Sequence, residues 1–135
     1  DMSDEGDSSE ALPPANPIHS ILNREESKQI LIVAPEKYQT LSQKINQGWE
    51  ELAEASQDKM EQKRRWRTVQ LYISRLTALR NEIAQAIESL ARENSTAGGS
   101  LAAEEEEALE AGRQLIIQIN NRLEDSLTRL AKATP

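Results

Sequence analysis

The chain has 135 residues, room for one domain with a modest core: 37% of residues are apolar, 3% are aromatic and phenylalanine is absent. With 29% charged residues and little glycine or proline, the balance suits exposed helices over strands and disfavours a globule built around an interior pocket. A formal charge of −7 disfavours non-specific attraction to nucleic acid or anionic membrane, the lack of cysteine excludes thiol chemistry, and no apolar run approaches the roughly 20 residues of a bilayer crossing, so the expectation is a soluble cytoplasmic protein with no membrane partner.

Residues 1–17 are acidic and then proline-rich. Asp1, Asp4, Glu5, Asp7 and Glu10 occur without a base among them, and Pro13, Pro14 and Pro17 follow. Too little apolar surface is available there to offset the entropy of ordering, so a disordered tail is expected. Residues 18–34 read differently. Asn23 with Glu26 three residues on has the form of a capping box, which favours a short helix through Ile30 and Leu31. The β-branched run Ile30-Leu31-Ile32-Val33 before a proline leaves a strand or an extended arm open. Either way Ile30, Ile32 and Val33 are candidates for docking on a partner.

From Pro35 to Asn94 the spacing predicts one long helix, about 90 Å at 1.5 Å per residue, with Pro35 tolerated in its first turn. Tyr38, Ile45, Leu52, Lys59, Trp66, Ile73, Arg80 and Ile87 share one heptad position, and Leu41, Gly48, Ala55, Gln62, Val69, Leu76, Ile83 and Leu90 share the other. Lys59 and Gln62 are polar seam positions followed by further bases, so a bend is expected within residues 59–67. The segment 94–100, with Gly98 and Gly99, marks a turn. A second helix is expected from near Ser100 to about Ala133, with Glu104–Glu107 in its first turns, where the helix dipole favours carboxylates. Its stripe of Leu101, Ala108, Leu109, Gly112, Leu115, Ile116, Ile119, Leu123, Leu127 and Leu130 is wide enough to meet more than one helix.

A short link between amphipathic helices implies an antiparallel hairpin, with Leu130 beside Trp66, Ile116 beside Arg80, and the bases 63–67 meeting Glu124 and Asp125. The second helix is shorter, leaving the seam from Tyr38 to Ala55 to residues 18–33 or to a second copy. The fold expectation is all-α: a long helix plus a shorter antiparallel helix in a helical hairpin over residues 35–135, dimerising as a coiled coil or four-helix bundle.

Chemistry-bearing constellations are sparse. His19 is the single histidine, which with no cysteine excludes a triad and most zinc sites, and consecutive helical carboxylates at 104–107 point around the helix and do not converge on a cation. Gly98-Gly99 lacks the lysine of a phosphate loop. Neither cofactor nor catalysis is expected. The sharpest local feature is a basic patch of Lys59, Lys63, Arg64, Arg65 and Arg67 around Trp66; it would pair with the other helix or a partner, or neutralise phosphates while Trp66 stacks on a base. Trp49 beside Gly48 is a candidate hot spot. The functional expectation is a non-enzymatic coiled-coil adaptor or scaffold that homodimerises and recruits a protein partner, with a nucleic-acid-associated helical protein as the alternative. In layout, a charged leader ahead of a coiled-coil dimer, the chain resembles small bacterial adaptors of the McdB type, which couple cargo to ParA-type positioning ATPases; the resemblance implies such an ATPase as partner. The acidic start departs from the basic leaders that many stimulators of those ATPases use.

Overall fold

The computed structural model describes residues 23–96 and 101–135, all of whose regular structure is helical: α1 Arg24–Glu54, α2 Lys59–Thr96 and α3 Ala103–Lys132. The expected tail, the residues 18–22 of the docking arm and the glycine pair 98–99 lie outside the described residues.

The capping box at the start of α1 forms as its sequence predicts. The Asn23 side-chain oxygen accepts the Glu26 N–H at 2.7 Å, and the Glu26 carboxylate accepts the Asn23 N–H at 3.0 Å. The helix it opens is not short, however, and Pro35 does not begin a new one: α1 continues through Pro35 to Glu54. A proline inside a helix forgoes one hydrogen bond, here to the Leu31 carbonyl, at a cost of about 3 kcal/mol. Burial on both sides of it holds the helix together. Leu31, Ala34 and Ile45 are buried and Tyr38 and Leu41 pack against them, while Pro35 itself is exposed.

The second correction is the long rod. It is two helices, broken at residues 55–58 and not within 59–67. Asp58 accepts the N–H groups of Met60 at 3.0 Å and Glu61 at 3.2 Å, which caps the start of α2. The Gln62 amide closes the turn on the Ser56 carbonyl at 2.9 Å. The physical reason is that a 60-residue rod can bury its seam only against another chain, whereas a turn at its polar point lets each half bury the other.

Cross-helix contacts define the topology. Gly48 against Val69, Arg65 on Glu51 and Lys37 near Glu82 make α1 and α2 antiparallel neighbours. Trp66 on Leu130 and Arg80 on Asn120 do the same for α2 and α3. Arg24 on Glu105 and Arg122 on the Ser42 carbonyl make α1 and α3 parallel. The result is an up-down-up three-helix arrangement in place of a hairpin. Val69, Ile73, Leu76, Ile83, Leu90, Leu109, Ile119, Leu123 and Leu130 are buried in it as the seam predicts, and Ile87, Ile116 and Leu52 pack on them half-buried. The stretch from Tyr38 to Ala55, expected to need residues 18–33 or a second copy, is covered by α2 and α3 of the same chain. Leu127 is the exception on α3: it is 51% exposed, because α3 turns its buried face toward α1 as well as α2.

Two glycines set how closely the helices approach. A methyl built on Gly48 would lie 2.7 Å from Val69 Cγ2, and one on Gly112 would lie 2.8 Å from Leu31 Cδ2 and 3.3 Å from Ile87 Cδ1. Gly112 therefore marks the point where all three helices meet.

Candidate functional site

The outward face of α2 is where the chemistry-bearing residues of the sequence collect. Met60, Arg64, Arg67, Leu71, Arg75 and Ala78 follow one another at three- and four-residue steps, so they form one line along the helix. All six are exposed, Met60 by 82% and Leu71 by 48%, so two large apolar side chains are interspersed here with three guanidinium groups. Lys59 and Lys63 flank the line at its start. At its far end Arg75 and Ala78 run into a groove of about 550 Å³ between α1 and α2, floored by Leu41 and Leu79 and edged by Glu36, Lys37 and Glu82.

The basic residues are not equivalent. Arg65 holds the fold: its guanidinium donates to Glu51 on α1 at 2.9 Å and to Glu61 at 2.8 Å, tying the two helices across their turn. Arg64 donates to the Glu61 carboxylate at 2.6 Å, and that hydrogen bond is the main cause that holds Glu61 below its usual range. Among the described residues Lys59, Lys63 and Arg67 have no acidic partner. The expected meeting of residues 63–67 with Glu124 and Asp125 does not occur. Trp66 is the residue of that cluster bonded to α3, and Lys63 and Arg67 beside it line a small pocket with Pro135, past the end of α3 and away from Glu124 and Asp125.

Both tryptophans are committed to the fold. The Trp66 indole N–H donates to the Leu130 carbonyl at 2.9 Å, adding a cross-helix bond to a last-turn acceptor that also takes the Ala133 N–H at 3.2 Å. Trp49 is 7% exposed, with the Arg129 guanidinium 4.4 Å from its ring centre, so most of its ring is spent on packing within the chain and only an edge lines the groove beside Arg129. Of the other candidates for docking, Ile30 packs half-buried against the core, Val33 is half-buried and Ile32 is 48% exposed.

The acidic run at the start of α3 is a fastening between helices. Arg24 clasps the Glu105 carboxylate at 2.6 and 2.7 Å, the Ala102 N–H donates to it at 2.9 Å, and Lys28 reaches Glu104 at 2.7 Å. The Arg24 hydrogen bonds, then that of Ala102, draw the Glu105 carboxyl down to about 2, against desolvation, which opposes them. The Glu104 carboxylate is also the main cause that raises Lys28. Sequence reasoning placed these carboxylates at a favourable helix start but did not find their basic partners, which come from 76 and 81 residues away.

Among the described residues no group of three or more His, Asp or Glu side chains is placed to hold a metal, and no helix is long and apolar enough to cross a membrane. Comparison with protein-family models, curated proteins and solved structures finds no match to this chain.

Proposed function

We propose that the chain is a non-enzymatic helical adaptor whose α2 face recruits an acidic, partly apolar segment of another protein. The observation that carries this reading is the exposed line Met60–Arg64–Arg67–Leu71–Arg75–Ala78, in which apolar and basic groups are interspersed beside unpaired Lys59 and Lys63. An amphipathic acidic segment satisfies both kinds of group at once, burying Met60 and Leu71 while its carboxylates meet the bases. Three helices that cover one another's apolar faces supply a rigid base for such a surface without needing a second copy for the core.

Nucleic acid is the second reading, supported by the spacing of Lys59, Lys63 and Arg67 on one flank of α2. It is the weaker one because Trp66, the side chain that would stack on a base, has its indole N–H engaged at Leu130. The test is affinity capture with quantitative mass spectrometry on the wild type, Lys63→Glu with Arg67→Glu, and Leu71→Ser, alongside DNA and RNA retention across a salt series. An acidic protein held by the wild type and lost from both variants supports the adaptor. Retention of nucleic acid that charge reversal abolishes and Leu71→Ser leaves intact replaces it.

A further inference from the structure

The groove between the parallel helices α1 and α3 changes character along its length. Its upper part, nearer the start of α1, is walled by Pro35, Tyr38 and Leu115 with the amides of Gln39, Gln114 and Gln118 along it, and holds about 470 Å³. Ile32, 48% exposed, stands three residues before Pro35 on the same flank. Its lower part is cationic: Arg122 and Arg129 line it with Asn46, Trp49 and Asn121, and Asp125 adds one acid. Arg122 is fixed there by donating to the Ser42 carbonyl at 3.2 Å and to the Asn46 side-chain oxygen, and Arg129 lies on the Trp49 ring. Neither guanidinium has an ion pair among the described residues.

We propose that this groove is the docking site of the chain's own N-terminal segment, residues 7–22, which returns along it from Asn23. Order and length both fit. Leaving Asn23 and turning back, the chain presents first Leu22, Ile21 and Ile18, then Pro17, Pro14 and Pro13, then Glu10 and Asp7. The groove presents, in the same direction, Ile32 and Pro35, then Tyr38 with its glutamine amides, then Arg122 and Arg129. Tyr38 lies 15 residues along α1 from Asn23, about 22 Å, which some seven extended residues cover; with two or three spent on turning, the Pro13-Pro14 pair falls at its level. Asn46, which holds Arg122, lies about 35 Å from Asn23, and about 11 extended residues beyond the turn bring Glu10 there and Asp7 on to Arg129. A proline-rich segment leaves its carbonyls free, and an aromatic ring flanked by amide donors is the kind of groove that takes one. The docking is independent of the α2 face.

The test uses the full chain with Ser9→Cys, the only thiol present, carrying a nitroxide, and reads paramagnetic broadening of backbone amides. Amides of residues 118–125 are expected to lose most of their intensity, while Ser74 and Asn81 on α2 keep theirs. Adding Glu10→Lys and Asp7→Lys restores the lost intensity, and so does high salt. Three results overturn the proposal: broadening centred on Lys59–Arg75, broadening spread evenly over the chain, or broadening of unlabelled isotope-enriched chain mixed with labelled chain, which would assign the groove to a second copy.

Discussion

Leu31 and Gly112 offer the sharpest test of the three-helix packing, because one residue touches the space left by the other. Leu31 is 2% exposed, and a methyl on Gly112 would come within 2.8 Å of its Cδ2 atom. Leu31→Ala removes three buried carbons and is expected to cost about 3 kcal/mol, within the 2–5 kcal/mol range of such truncations. Gly112→Ala alone sets two effects against each other: a gain of about 1 kcal/mol in helix propensity and an overpacking cost of about 1–3 kcal/mol as Leu31 and Ile87 give way. The net expectation is between neutral and about 2 kcal/mol of destabilisation. In the double variant the Leu31 conflict is gone, the methyl fills part of the cavity and the propensity gain remains. Gly112→Ala should then stabilise the Leu31→Ala background by about 1 kcal/mol, a coupling of at least about 1 kcal/mol. Urea unfolding of the four proteins with an unchanged denaturant slope reads this cycle directly. If Leu31→Ala costs less than about 1 kcal/mol, or the two changes add within about 0.5 kcal/mol, residues 24–34 are not packed against α3 as described.

Two further outcomes follow from the termini of the helices. Asp58→Ala removes the acceptor for the Met60 and Glu61 N–H groups and should cost about 1 kcal/mol in urea or thermal unfolding; a neutral result would remove Asp58 as the cap that ends the expected rod. Because the Glu105 carboxyl is drawn from 4.5 down to about 2 in the folded chain, it contributes stability that is complete above pH 4.5 and lost as pH falls toward 2. Glu105→Gln should therefore be less stable than wild type at neutral pH, with the difference shrinking through that window. Parallel pH profiles of the two proteins would show that Arg24 does not hold this carboxylate.

What the sequence determined by itself was local or periodic. The Asn23–Glu26 cap, the span of α3 and the burial of Ile73, Leu76, Ile83 and Ile119 follow from side chains acting on their own turn or recurring on one face. The facing of Trp66 and Leu130 followed as well, since a short link fixes the register of an antiparallel pair. The Asp58 cap carried the same signal, an acid with a glutamate three residues on, but the heptad ran through it in phase and hid it. Tertiary structure alone decided that α1 passes through Pro35, that the rod turns back at residues 55–58, that Trp49 is buried beneath Arg129, and that Arg24 reaches Glu105. Periodicity states which faces must leave water, but not which helix will cover them. A four-residue turn makes the other half of the same chain the nearest cover, and closing so short a loop costs less entropy than capturing a second molecule.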